Sequence, residues 1–178
     1  MKNFYISDLH FGHFNIIRHC HRPFSSSEEM DKALIDNWNK VVSDNDTVYI
    51  LGDFCFSKDA TKYLKQLKGK KVLVLGNHDG EISKNRQYYL KSKLIDKICD
   101  YLEIRDVIND KSYKVVMCHY PMIEWNGFFR RSIHLYGHIH NNEGNVSFQI
   151  MKNIGNAYNV GADILDFTPR TLAEILKK

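Results

Sequence analysis

Seven side chains of the kinds that hold hard and borderline metal ions stand directly behind apolar, strand-like runs. They are Asp8 and His10 behind FYIS, Asp53 behind TVYIL, Asn77 behind KVLVL, His119 behind KVVMC, and His138 and His140 behind IHLY. Asp8 and His10, one residue apart, project to the same side of an extended backbone. Gly52, Gly76 and Gly137 accompany these residues, and glycine lets the backbone approach closely or take a positive φ. Ligands in open α/β sheets collect just beyond the carboxyl ends of the strands, so distant segments converge on one site. The donors are oxygen or imidazole, with no thiolate among them. More converge than one ion needs, so a carboxylate shared between two ions is the natural arrangement, and Asp53 is the residue placed to bridge. Mixed Asp, Asn and His ligation favours Mn, Fe, Zn, Co or Ni over a structural Cys-rich zinc site. Any one of these residues could instead cap a turn or close a strand end. Their recurrence at five strand ends, taking four of the nine histidines with it, or five with His78 beside Asn77, points to a shared site.

The elements that must position them alternate in the first half. Continuous apolar runs at Phe4 to Ser7, Thr47 to Leu51 and Lys71 to Leu75 read as strands covered on both faces. Between the first two, SSSEEM offers a capping box, and Met30, Leu34, Trp38 and Val41 form one stripe, predicting a helix from about Glu28 to Val42. Ala60, Tyr63, Leu64 and Leu67 sit at helical spacing, with Gly69 as the stop before the third strand. In the second half a helix is expected around Gln87 to Ile95. Tyr101 to Ile108 and Tyr113 to Cys118 flank NDKS as a hairpin, and short strands follow at Ile133 to Tyr136, Val146 to Met151 and near Tyr158. The chain closes with TLAEILKK, a short helix with basic residues at its end. A parallel half followed by an antiparallel half predicts two packed sheets with helices outside.

Composition sets bounds on this reading. The 178 residues, 43% hydrophobic and 26% charged, suit one globular domain spanning the whole chain. A net charge of +4 suits an anionic substrate without demanding nucleic acid. Cys20, Cys55, Cys99 and Cys118 show no paired spacing, and no secretory leader precedes the first strand, so reduced thiols and a cytoplasmic location are expected. No apolar run approaches the roughly 20 residues needed to cross a bilayer, so no membrane partner is expected.

In order, DLH, GDF, GNHD, the histidine of CHYP and GHIH resemble the five-part signature of the calcineurin-like metallophosphoesterases. The opening ISDLHFGHFNIIRHCHRPF and closing NVGADILDFTPRTLAEIL are similar to a subgroup of compact bacterial or phage phosphohydrolases. The resemblance implies an α/β fold, a four-layer αββα sandwich of two mixed β-sheets flanked by helices. It implies one ion on Asp8, His10, Asp53 and His140 and a second on Asp53, Asn77, His119 and His138, with manganese as the ion expected to support activity. His78 would face the scissile phosphate as general acid or charge stabiliser, and Asp79 would orient its neighbourhood. Such a centre hydrolyses phosphate esters through a hydroxide bridging the ions.

One departure bears on substrate. The protein serine/threonine phosphatase branch places an acid and an arginine shortly after the bridging aspartate, but Phe54-Cys55-Phe56-Ser57-Lys58 stands here. That argues against a phosphoprotein phosphatase and leaves Asp79 as the nearest candidate to orient His78. His13 and Asn15 are candidates to line the phosphate pocket, against a local turn role. Arg18 and Arg22 are candidates for an anion-recognising rim, against a solvated helix face. Arg130 and Arg131 follow aromatics that could stack on a base or pack as a lid. The expected activity is a binuclear phosphodiesterase on a nucleotide-like substrate. The alternatives are a phosphomonoesterase or pyrophosphohydrolase, a metal-binding module without catalysis, and a nucleic-acid-binding module.

Overall fold

The computed structural model describes residues 1–177. The first half runs β1 (Asn3–Ile6), α1 (Phe14–His19), α2 (Ser27–Val41), β2 (Thr47–Ile50), α3 (Thr61–Leu64), β3 (Lys70–Val74), α4 (Gly80–Lys84), α5 (Arg86–Lys91) and β4 (Lys97–Cys99). The second half runs β5 (Leu102–Ile108), β6 (Lys111–Met117), a 3₁₀ turn (Phe128–Arg130), β7 (Ile133–Tyr136), α6 (Val146–Met151), β8 (Ala157–Asn159), β9 (Arg170–Thr171) and α7 (Leu172–Ile175).

Two mixed sheets result, ordered β4-β3-β2-β1-β9 and β5-β6-β7-β8. Alternation along the strands builds the layers. Phe4, Ile6, Val48, Ile50 and Leu73 face the helices of the first half, packing with Met30, Leu34 and Trp38 of α2. Tyr5 and Val74 point the other way, into a core shared with Val115, Met117, Ile133 and Leu135 of the second sheet. The far face of that sheet is covered by α6, where Met151 packs on Tyr136 and Ile139. Helix, sheet, sheet and helix make the four-layer αββα sandwich. Among the described residues no helix is long and apolar enough to cross a membrane.

The local chemistry explains most boundaries. Ser26 caps α2, its hydroxyl accepting from the Glu29 amide at 3.1 Å, while Glu29 reaches back to the Ser25 amide. The hairpin pairs Ile108 with Lys111, so the turn narrows from NDKS to Asn109-Asp110, whose φ values of 47° and 63° suit a two-residue connection. Thr171 and Glu174 form a capping box at α7; the Lys178 end of the expected helix lies outside the described residues.

Several expectations are corrected. Val146–Met151 is a helix, not a strand: Asn145 accepts from the Ser147 amide at 2.7 Å and starts it. Its alternating apolar residues mimic a strand, but Val146 and Ile150 are exposed and Met151 alone is fully buried. Among the described residues only β5 and β6 pair antiparallel in the second sheet; β7 and β8 join in parallel because crossover segments precede each. Three short elements carry too few residues to show a period: α1, the parallel edge strand β4, and β9, antiparallel to β1.

Trp38 is fully buried, and its indole N–H donates to the Lys68 carbonyl at 3.0 Å, tying α2 to the segment before β3. Trp38→Ala should lower unfolding stability by about 3–5 kcal/mol in a denaturant titration, through a cavity and an orphaned carbonyl. A loss below about 1 kcal/mol would contradict this packing.

Candidate metal centre

Parallel pairing of β1, β2 and β3 brings the ends of three strands to one edge. The chain beyond β1 and β2 continues side by side, with the His10 amide donating to the Asp53 carbonyl at 2.9 Å and the Phe11 amide to the Phe54 carbonyl at 3.0 Å. From the second sheet, β6 and β7 deliver His119 and the Gly137–His140 loop to the same edge, linked by the Gly137 amide donating to the His119 carbonyl. Close contact requires glycine here. A side chain on Gly137 would overlap Ser7 Oγ and Asp8 Oδ2, and one on Gly52 would come within 2.5 Å of His119 Nδ1.

The backbone at these residues is unusual. Twelve described non-glycine residues have positive φ, and five of them are Asp8 (56°), His10 (53°), Asp53 (53°), His138 (69°) and His140 (48°). Asp and His enter this region more readily than most residues, yet each such conformation costs about 1 kcal/mol or more. Left-handed turns at the strand ends swing the side chains inward, where Asp8, His10, Asp53 and His119 are buried.

The imidazoles are held by one nitrogen and present the other. His119 Nδ1 donates to the Leu51 carbonyl at 2.7 Å, leaving Nε2 3.1 Å from Asn77 Oδ1 and 3.5 Å from Asp53 Oδ2. His10 Nδ1 meets His13 Nδ1 at 3.3 Å, and His10 Nε2 is buried without a hydrogen-bond partner, 3.6 Å from the same Asp53 Oδ2. His140 Nδ1 bonds Asp163 at 2.7 Å. One carboxylate oxygen of Asp53 therefore lies between two imidazoles from different strands. Ligand atoms of Asp8, His10 and His140 form one compact group, and those of Asp8, Asp53 and His119 form another. His138 stands apart: its amide donates to both Asp8 oxygens at 3.0 and 3.1 Å, while its exposed ring lies 5.1 Å from that of His119.

Burial sets the electrostatics. It pushes the Asp8 carboxyl up, against the pull of His140 and His119, and it lowers the His10 and His138 imidazoles, aided by neighbouring histidines. Burial also acts to lower His140, but Asp163, Cys20 and Asp8 lift it to about 10. Burial raises Asp79 to about 6, against the amides of Gly76, Phe54 and Asp53.

The remaining expected residues divide. His78 is exposed at the cleft, its amide donating to Asp53 Oδ1 at 2.8 Å and its ring 5.5 Å from the rings of His10 and Phe56. Asp79 does not orient that ring. Its oxygens accept from the amides of Asp53, Phe54 and Gly76 at 2.8–2.9 Å, clasping the loops after β2 and β3 together. His13 lines the cleft and stacks on Phe56 at 4.0 Å. Asn15 does not join it there; with Arg18 it lines a neighbouring depression on α1 beside His19 and His21. Arg22 is no rim residue: it is buried, and its guanidinium is engaged by Asp163 and the carbonyls of Asp8 and Leu9. Arg130 and Arg131 are exposed and line none of the cleft.

Sequence reasoning missed Asp163, Phe56 and Tyr120. Asp163 lies 23 residues beyond His140, inside NVGADILDF, whose polar residue carried no motif of its own. Phe56 is 52% exposed at the cleft and Tyr120 45% exposed beside His138, at 4.8 Å between rings. Large exposed aromatics next to ligand-type residues were the available signal.

The comparisons agree with this architecture. Residues 1–159 match the model of the calcineurin-like phosphoesterase superfamily domain. An uncharacterized protein of Methanocaldococcus jannaschii is 36% identical over 99% of this chain and 90% of its own length. The gene 66 protein of Mycobacterium phage D29 is 28% identical over 76% of this chain and 77% of its own. Among solved structures, a protein of unknown function from Aquifex aeolicus superposes with a TM-score of 0.71 at 26% identity, covering 99% of this chain and 98% of that one. A novel archaeal phosphodiesterase shares the fold at a TM-score of 0.50 and 23% identity, over 79% and 74% of the two chains. With ligand-type residues gathered at the strand ends of a two-sheet sandwich and the family model spanning most of the sequence, the chain belongs to the calcineurin-like phosphoesterase superfamily.

Proposed function

We propose that Asp8, His10, Asp53 and His140 hold one divalent cation and that Asp53, Asn77, His119 and His138 hold a second, in an enzyme that hydrolyses a nucleotide-like phosphodiester. The observation that carries this reading is Asp53 Oδ2, set 3.6 and 3.5 Å from the Nε2 atoms of His10 and His119, the former buried with no partner. These separations are too long for hydrogen bonds. They match the roughly 3–3.5 Å between neighbouring ligands of an ion bound at about 2.0–2.2 Å. A buried imidazole nitrogen with nothing to bond is otherwise a net loss. Divalent cations held by these residues would supply Lewis acidity, lowering the pKa of water and drawing charge from the phosphate oxygens.

The chain's own residues do the rest. Hydrogen bonds at Nδ1 of His119 and His140 fix which nitrogen each imidazole presents, and the three amides on Asp79 hold the loop carrying Asp53. His78, anchored through its amide to Asp53, offers an imidazole N–H to the leaving oxygen at the open side of the cleft. A diester fits better than a monoester because His10, His13, His19, His78, Phe56 and the asparagines of the cleft include no lysine or arginine to meet a dianion. Phe56 and Tyr120 offer exposed faces on either side of the cluster, and a stacked base contributes about 1–3 kcal/mol. No side chain in this reading requires a membrane, and the free cysteines suit the reducing cytoplasm.

With manganese supplied, bis(4-nitrophenyl) phosphate should turn over with a kcat/KM about tenfold or more above that of 4-nitrophenyl phosphate, and chelator should abolish both. A preference for the monoester would overturn the diester reading, and inertness toward both with Mn, Fe, Zn, Co and Ni would overturn catalysis. His78→Ala should lower kcat by about tenfold or more while metal content by elemental analysis stays unchanged. Undiminished turnover would remove His78 from proton transfer.

A further inference from the structure

Arg22 and Asp163 form a buried ion pair directly beneath half of the candidate centre. Arg22 Nε donates to Asp163 Oδ1 at 2.7 Å, with the two side chains 0% and 2% exposed. The other oxygen of Asp163 accepts from His140 Nδ1 at 2.7 Å. The remaining arms of the guanidinium donate to the carbonyls of Asp8 at 2.7 Å and Leu9 at 3.0 Å, in the left-handed turn that carries Asp8 and His10 inward. The guanidinium carbon also lies 5.5 Å from the centre of the Phe167 ring. The planar donor fork of arginine is suited to joining a carboxylate and two carbonyls at once, which lysine cannot do.

We infer that Arg22 and Asp163 are positioning residues for one ion site only, that of Asp8, His10 and His140. The inference rests on the metal-centre reading above. Asp163, ionised, can only accept, so His140 carries a proton on Nδ1, and Nε2 is the nitrogen left to lose its proton and meet a cation beside Asp8 and His10. Arg22 fixes the Asp8 turn from below through the same network, so turn and imidazole are set relative to each other. His119 takes its orientation from the Leu51 carbonyl instead, and its other nitrogen faces Asn77, so Arg22 and Asp163 reach that side of the centre only indirectly, through Asp8. Cys20, His140 and Asp163 also lie within reach of one another, which suggests a further cation between them. The guanidinium already on Asp163 and the Nδ1 proton of His140 fill that space with positive charge, so the group works as a hydrogen-bonded clasp.

Asp163→Asn tests this with little change of shape. An amide oxygen turned to Arg22 leaves the NH₂ facing His140, which then accepts at Nδ1 and carries its proton on Nε2, the nitrogen that must be bare. Manganese titration calorimetry of the full chain should show two sites in the wild type. In Asp163→Asn one should be weakened about 10–100-fold and the other unchanged. Electron paramagnetic resonance at limiting manganese should pass from a spin-coupled pair to an isolated ion, a change that general destabilisation would not produce. Asp163→Glu should restore part of the coupled signal. Should the single variant unfold through its unpaired arginine, Arg22→Gln with Asp163→Asn removes both charges and carries the same expectation. Two unchanged sites in a folded variant, or equal weakening of both, would overturn the positioning role alone. A wild-type protein that takes up no manganese would overturn the metal-centre reading together with it.

Discussion

Two carboxylates, Asp8 and Asp53, are buried at 0% and 2% exposure near His10 and His138, whose imidazoles burial keeps from charging, and this juxtaposition constrains everything around it. Buried anions are tolerated only when donors or cations meet them. Backbone amides meet part of the demand: His138 donates to Asp8, and His78 to Asp53 Oδ1. Asp53 Oδ2 and His10 Nε2 are left facing one another without a hydrogen bond. The fold thus carries a local deficit of positive charge at the place where the proposed ions would sit.

Holding that arrangement requires rigid walls. The ends of β1, β2 and β3 are fixed by parallel ladders buried on both faces, and the loops beyond them keep pairing for several residues before diverging. Within this frame five left-handed Asp and His residues persist, each unfavourable in isolation and each over-determined by neighbouring hydrogen bonds. Asp79 below one side and the Arg22–Asp163 pair below the other act as clasps, converting loop backbone into a fixed scaffold. Catalytic geometry of this kind depends as much on the supporting hydrogen bonds as on the ligating atoms.

The site was more legible in the sequence than its supports. Asp8, Asp53, Asn77 and the histidines stood out because polar ligand types with glycine recurred behind apolar runs, a pattern set by the architecture of α/β sheets. Arg22 misled because arginine is rarely buried, and nothing nearby in sequence revealed a partner 141 residues away. Asp79 pointed toward its neighbour His78 by adjacency, whereas backbone amides after β2 captured both its oxygens. In the second half, Val146–Met151 alternated apolar and polar residues over a span too short to separate a strand period from a helical one, and the Asn145 cap decided it. Long-range hydrogen bonds and short edge elements leave little periodic trace.

Anomalous scattering from a crystal soaked in manganese tests the shared-carboxylate centre most directly. Two peaks are expected on either side of Asp53, roughly 3.5–4 Å apart, one against Asp8, His10 and His140 and the other against Asn77, His119 and His138. A single peak that leaves Asp53 uncoordinated, or none within the cluster, would contradict it.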